Sequence, residues 1–410
     1  MSFLMPTDRA VLAAAVADCL VVSADPYARE ASVTFWNAAR PWHDRVIAAI
    51  RGADDLRVRD LAGALIDDPA SPERHAALRA ALREAKTDDI AGVFDLAWQA
   101  ECHSRLGFHL GRRYRPDGVL VTADEVRSWS PGRPSADPGA AEILIVVPFR
   151  DRGTGGERLR NLLSCLLALR DQSTPREHYR VLVVESDDTP RWQEIIEPFA
   201  DSYLFAEKPG KFNKSWAVNA GVVNALGRAE AICILDADVL VDRDFVARNA
   251  ARLRRPGTGG HLPYRDMLCV DATATSWAIR ERLTRRCADI GRESLRGFAV
   301  RRPVGCCLWV RAEAFLRIGG MDERFEGWGG EDNDFAYRFD MANAFDSFED
   351  LLVHMYHPAS SREDGWLLDS EVPALSWRPS EPIGRLDRFS ADPSSADPSP
   401  HRRTDAGIAR

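Results

Sequence analysis

Three apolar runs, EILIVVP at 142–148, RVLVVESDD at 180–188 and AICILDADVLVD at 231–242, the last two leading into acids, constrain this chain more than any other feature. A strand with one face in water alternates apolar and polar residues, whereas a strand buried on both faces does not. Between the runs lie helical patterns. GERLRNLLSCLLALRDQ repeats leucine at 159, 162, 163 and 166, and KSWAVNAGVVNAL follows at 214–226. Strands alternating with helices predict an α/β domain with a mostly parallel sheet. In such sheets ligands bind beyond the carboxyl ends of the strands. Here those ends carry Pro148-Phe149-Arg150, Glu185-Ser186-Asp187-Asp188 and Asp236-Ala237-Asp238.

The flanking segments read differently. Residues 1–127 read as helical: SPERHAALRAALREA offers Ser71 as an N-cap with Pro72 at the first helical position, and TFWNAARPWHDRVIAAI is a second helical pattern with Pro41 as a break or start. Trp36, Trp42, His43 and His109 suit core packing better than a site. Residues 128–141 are a Pro/Gly/Ser linker, 142–375 form the α/β domain, and 376–410, rich in Pro, Ser and charge, read as a disordered tail. SADP recurs at 23, 135, 390 and 395, which turn chemistry explains.

Composition excludes some partners. A net charge of −8 argues against nucleic acid. No run reaches the roughly 18 apolar residues of a membrane span; VLAAAVADCLVV at 11–22 is short and interrupted by Asp18. The 8 cysteines form no CxxC and read as buried free thiols, which with the absence of a signal peptide points to the cytoplasm.

Four stretches carry chemistry. Asp236-x-Asp238 closes a buried strand; two carboxylates at that spacing can hold a hard divalent cation, and equally suit a strand-ending turn. LLVHMYHP brings His354 and His357, good ligands for a first-row metal such as manganese. VVPFRDRGTGGERL sets Arg150 and Arg152 before a glycine-rich loop and a helix start, a combination suited to diphosphate; GxxxxGK is absent, which argues against an ATPase. RFEGWGGEDNDFAYRF packs Trp328 among Gly327, Gly329 and Gly330, then places Glu331, Asp332 and Asp334 in the first turn of a helix. Acids there offset the helix dipole. The glycines and tryptophan call for more: hinge freedom and a platform for a sugar ring. A dipole-stabilised carboxylate stays ionised near neutral pH, as a general base must.

In this order the motifs resemble GT-A fold glycosyltransferases, nearest the galactosyltransferase C-terminal type shared by β-1,4-galactosyltransferases and chondroitin-polymerase-like enzymes. The resemblance covers roughly 142–360. VPFRDR, FNKSWAVNAG, LDADV, the block GCCLWVRAEAFLRIGGMDERFEGWGGEDNDFAYRF and HMYHP carry it. It implies a Rossmann-like mixed, mostly parallel sheet flanked by helices, and an inverting, metal-dependent transfer from a nucleotide sugar, UDP-linked, to the hydroxyl of a carbohydrate or other acceptor. By position it implies donor contacts from Pro148, Phe149, Arg150, Arg152, Glu185, Phe212, Asn213 and Asp236. It implies acceptor contacts from Trp328, Gly329, Gly330 and Glu331, and Asp332 as the base with Glu331 beside it. Asp236, Asp238, His357 and His354 would hold Mn2+ or Mg2+. Two other classes fit part of the pattern. A sugar nucleotidyltransferase shares such a sheet, but PFRDRGTGG lacks the basic end of its loop; a non-catalytic sugar-binding relative would have lost the DxD or the Glu331-Asp332 pair.

Overall fold

The computed structural model describes residues 4–129, 141–327, 329–358 and 371–389. Among these are twelve strands: β1 (Leu106–Leu110), β2 (Ile143–Phe149), β3 (Tyr179–Glu185), β4 (Ser202–Phe205), β5 (Ala231–Leu235), β6 (Val239–Leu240), β7 (Gly260–Leu262), β8 (Asp266–Val270), β9 (Arg296–Arg301), β10 (Cys307–Arg311), β11 (Phe345–Ser347) and β12 (Leu352–His354). They form a seven-stranded sheet, β11-β7-β10-β5-β2-β3-β4, and a five-stranded sheet, β1-β9-β8-β12-β6. In the larger sheet β5, β2, β3 and β4 run parallel, as the apolar runs predict, and only β10 opposes its neighbours. All seven residues of β2 are buried, which accounts for its unbroken apolar run.

The helices fill the gaps between these strands. Glu157–Arg170 follows β2, and Lys214–Ala225 packs on β2 and β3. Gly221 allows that approach: a Cβ there would meet Val184 at 2.7 Å and Val146 at 2.9 Å. Asn219, in the middle of the helix Lys214–Ala225, is fully buried and ties it to the Gly320–Glu323 turn, donating to Met321 O at 2.8 Å and accepting from Met321 N at 2.9 Å. A single buried apolar cluster extends from Leu12 to Met355, so the N-terminal helices share a core with the sheets. No helix among the described residues is long and apolar enough to cross a membrane.

Three expectations need correction. Residues 1–127 are not wholly helical, because β1 pairs antiparallel with β9 and forms an edge of the smaller sheet. LGFHL is too short to announce itself; β9 determines its conformation. Pro41 does not break its helix, which runs Val33–Arg51 with the proline inside. Pro41 and Asn37 are both exposed, so water can satisfy the carbonyl that loses its partner. The segment from 376 to 389 is docked, not disordered. Trp377 Nε1 donates to Gly319 O at 2.7 Å, Trp216 Nε1 donates to Arg385 O at 2.9 Å, and the Phe389 ring meets Trp216 edge-on at 4.9 Å. Trp377, Ile383 and Phe389, three apolar anchors at irregular spacing, are invisible to a compositional reading. The Pro/Gly/Ser stretch 130–140 and the tail beyond 389 lie outside the described residues.

The four N-terminal aromatic and imidazole residues are structural. Trp36 Nε1 donates to Val22 O, Trp42 stacks on His103, His43 is buried, and His109 Nε2 contacts Arg292 O at 2.9 Å.

Candidate active site

The turn Asp236-Ala237-Asp238 is where the chain leaves one sheet for the other. β5 ends at Leu235 in the larger sheet, and β6 begins at Val239 in the smaller. Beside β6 runs β12, with His354 opposite Val239, and Met355 N donates to Asp238 O at 2.8 Å. This register delivers both histidines to the aspartate: His357 Nε2 lies 3.0 Å and His354 Nε2 3.5 Å from Asp238 Oδ2. One ligand atom from each of Asp238, His354 and His357 falls within 4.8 Å of the others. Burial pushes the Asp238 carboxyl up, but the two imidazoles outweigh it and hold it well below the usual range. Burial lowers the His354 pKa, against the pull of Asp238. Asp238 Oδ1 and His354 Nδ1 are buried without a partner. A carboxylate, two imidazoles and two orphaned polar atoms fit a divalent first-row metal ion.

Asp236, expected in the same ligand set, turns elsewhere. Its Oδ1 accepts an ion pair from Lys214 Nζ at 2.7 Å. Lys214 is the first residue of its helix, and its ammonium also reaches Asp332 Oδ2 at 2.9 Å. Burial alone would lower the lysine's pKa; Asp236, Asp332 and Glu331 outweigh that and hold it well above its ordinary value. Nothing in the sequence reading singled out Lys214. The available signal was a lysine placed between an aspartate-rich strand end and an apolar helix, where a buried cation needs an anion.

Asp332 and Glu331 open the helix Glu331–Ala342, whose N-cap is Gly330 at φ 98°. Burial raises the Asp332 carboxyl and Lys214 opposes that rise. Asp332 Oδ1 is buried without a partner, while Oδ2 is on the lysine. Burial, with help from the Asp332 charge, pushes Glu331 up to about 7, Lys214 opposing. Gly305 makes room for this arrangement: its φ is 124°, and a Cβ there would lie 2.5 Å from Asp332 Oδ2. Asp334 is structural, accepting from Arg338 Nε at 2.7 Å and from Leu375 N at 2.8 Å.

The loop before the helix is set by glycine. Gly327, Gly329 and Gly330 all have positive φ, and Gly327 N donates to Phe212 O at 2.7 Å. Trp328 lies outside the described residues.

The residues expected on the donor side cluster at the ends of β2 and β3, but many of their polar groups are already engaged. Pro148 and Phe149 close β2. Arg150 donates to the carbonyls of Ser186, Gly210 and Lys208, and its guanidinium sits 5.3 Å from the Phe212 ring. Burial lowers its pKa to about 10. It therefore clips the 208–212 loop in place. Arg152 Nε donates to Asp187 at 2.7 Å. Glu185 is buried and accepts from Arg191 N at 2.9 Å, Trp192 N at 3.2 Å and Tyr203 Oη at 2.6 Å. Asn213 caps its helix through Trp216 N at 2.8 Å and donates to Glu323 O at 2.8 Å. Many of these polar groups are therefore engaged within the protein.

Residues 144–319 match the profile for glycosyl transferase family 2, and residues 296–347 match one described as the N-terminal domain of galactosyltransferase. No curated protein sequence matches the chain. Among solved structures, the chain is similar to the mannosyltransferase PcManGT of Pyrobaculum calidifontis in complex with GDP-Man and Mn2+, at 20% identity over 57% of this chain and 63% of that one, with a TM-score of 0.34. It is also similar to the catalytic domain of Drosophila β1,4-galactosyltransferase 7 in complex with xylobiose, at 19% identity over 52% and 66%, TM-score 0.32. A third is TarS 1–349 of S. aureus in complex with UDP-GlcNAc, at 13% identity over 55% and 62%, TM-score 0.39. The chain spans less than two thirds of the length of each.

Proposed function

We propose that the chain, whose residues 144–319 match the profile for glycosyl transferase family 2, moves a sugar from a UDP-linked donor to an acceptor hydroxyl, with inversion and with a divalent metal ion. The observation that carries this reading is a continuous line of contacts, His357 to Asp238, then Asp236 across one residue, then Lys214, then Asp332. It joins a metal-ligand set to a carboxylate with one free oxygen.

Asp238, His354 and His357 would hold the ion, and the two imidazoles favour manganese over magnesium. When bound, the ion neutralises charge on the departing diphosphate. The chain's own residues do the rest. Asp332 Oδ1, the oxygen Lys214 leaves free, accepts the proton of the acceptor hydroxyl. The acceptor oxygen bonds to the anomeric carbon from the face opposite the nucleotide, and the broken C–O bond leaves its electron pair on the diphosphate. Lys214 opposes the rise that burial gives the Asp332 pKa and so favours the anion. Glu331, titrating at about 7, can donate to or accept from the acceptor and orients it. Trp328, Gly329 and Gly330 are assigned to the acceptor side. Pro148, Phe149, Arg150, Arg152, Glu185, Phe212, Asn213 and Asp236 line the donor side, with Arg150 fixing the loop that carries Phe212. We assign the transferase unit to 142–375 and place the protein in the cytoplasm, which the eight free cysteines suit.

The reading is tested by thermal shift across a panel of nucleotide sugars with and without Mn2+. At 100 times its Kd a ligand adds about 2.7 kcal/mol, so one UDP-sugar is expected to raise Tm by several degrees only when metal is present. A panel with no stabilising member sinks the proposal. A second expectation concerns Lys214. Replacing it by methionine removes the charge that opposes the rise in the Asp332 pKa, so less of the base is ionised at a given pH. The acid limb of the rate profile should move to higher pH, with much of the lost rate regained in alkaline buffer. An unshifted limb removes Lys214 from this role.

A further inference from the structure

The helical N-terminal region has a segment that reaches the ligand loop, and nothing in the proposed reaction yet uses it. The short helix Pro26–Ala31 sits against β9 and the loop after β12. It is fixed at its start by Asp25, whose Oδ1 caps Tyr27 N at 2.9 Å and whose Oδ2 pairs with buried Arg296 at 2.5 Å. Arg296 in turn reaches Asp271 at 3.2 Å and Pro69 O at 3.0 Å. Tyr27 is thereby aimed at one place: its Oη donates to Val270 O at 2.9 Å, and its ring meets the ring of Tyr356 edge-on at 5.1 Å.

Tyr356 stands between His354 and His357. Its backbone is held on two sides, Tyr356 N donating to Thr275 Oγ1 at 2.8 Å and Tyr356 O accepting from Arg160 Nη2 at 2.6 Å and Asn161 Nδ2 at 3.0 Å. Those bonds fix the main chain. They leave the orientation of the side chain to its packing. Tyr27 supplies that packing, and Glu30, in the same helix, lies within the field of His357.

We infer that Tyr27 is a positioning residue for the Asp238–His354–His357 site: through its ring contact with Tyr356, the N-terminal region sets the spacing of the two imidazoles. The inference rests on the metal reading above. It makes the N-terminal region a part of the site instead of an appended module. Groups that orient a ligand from outside the coordination sphere typically alter metal affinity by about 10–100-fold when removed.

The test is Mn2+ titration of the full chain without donor, followed by the loss of the free-ion EPR signal. Four proteins are compared: wild type, Tyr27→Ala, Tyr27→Phe and Val46→Ala. Val46 is fully buried in the same bundle, in the helix Val33–Arg51, and so controls for general loosening. Tyr27→Ala is expected to bind Mn2+ roughly tenfold more weakly, while Tyr27→Phe and Val46→Ala keep wild-type affinity. Should Tyr27→Ala not fold, Tyr27→Leu takes its place with the same expectation. Wild-type affinity in Tyr27→Ala, or an equal loss in Val46→Ala, overturns the inference with the metal reading intact. An equal loss in Tyr27→Phe overturns the ring contact as the cause. Wild-type protein that binds no Mn2+ sinks the metal reading itself.

Discussion

Asp332→Asn is expected to lower sugar transfer by roughly 10^3-fold, the middle of the range for loss of a general base. The substitution keeps size and shape, and the amide oxygen can still accept from Lys214 Nζ, which lies 2.9 Å from Oδ2 in the native site. What is lost is the capacity to hold a proton. Donor binding with metal should therefore persist within a few-fold, since Asp238, His354 and His357 are unchanged. Single-turnover transfer and nucleotide titration on the same preparation separate the two. Near-native transfer removes Asp332 as the base; lost nucleotide binding with intact folding makes it a binding group instead. The substitution also removes one of the anions around Lys214, so a modest change in thermal stability is expected and is not diagnostic.

The second large effect is at the metal set. Asp238→Ala deletes the group both imidazoles face, at 3.0 Å and 3.5 Å. Mn2+ affinity should fall by more than roughly 100-fold, above the range for an outer partner, and transfer should fall below detection. Native protein in EDTA should behave the same way and recover when Mn2+ is added in excess. The fold should survive, because the β6–β12 pairing is made by backbone groups and does not need the carboxylate. Turnover that continues in chelator refutes the metal role of all three residues. Circular dichroism of the variant guards against reading an unfolded chain as a metal-free one.

The sequence revealed the site unevenly, for physical reasons. β2, β3 and β5 could be read because burial on both faces leaves each an unbroken apolar stretch, at 143–149, 181–184 and 231–235. β12, three residues long, has no such pattern, and its neighbour β6 is two residues long. That His354 and His357 meet Asp238 follows from a register between them, which no local pattern encodes. The DxD was legible as chemistry, but its two acids divide: Asp238 goes to the histidines and Asp236 to Lys214. Spacing cannot distinguish a turn that splits two carboxylates from one that joins them. Arg150 shows the same limit. An arginine after a buried strand looks like an anion ligand, yet three backbone carbonyls occupy it. Lys214 was hidden by its helix, whose later residues are apolar. The docked segment 376–389 was hidden by composition, since Trp377, Ile383 and Phe389 are too sparse to offset the surrounding charge in a windowed reading.

The position of β12 has a consequence for how the protein matures. The strand is bordered on one side by β8 and on the other by β6, and His354 faces Val239 across more than a hundred residues of chain. Contacts of such separation close late, because the loop between them must be ordered first. During synthesis Asp238 emerges long before either imidazole, and for that interval it is a lone carboxylate at a turn. The metal set therefore comes into being only when the last strand inserts. Metal capture should accompany the final step of folding, and a chain truncated before Leu352 should fail to capture manganese even if its first sheet has formed.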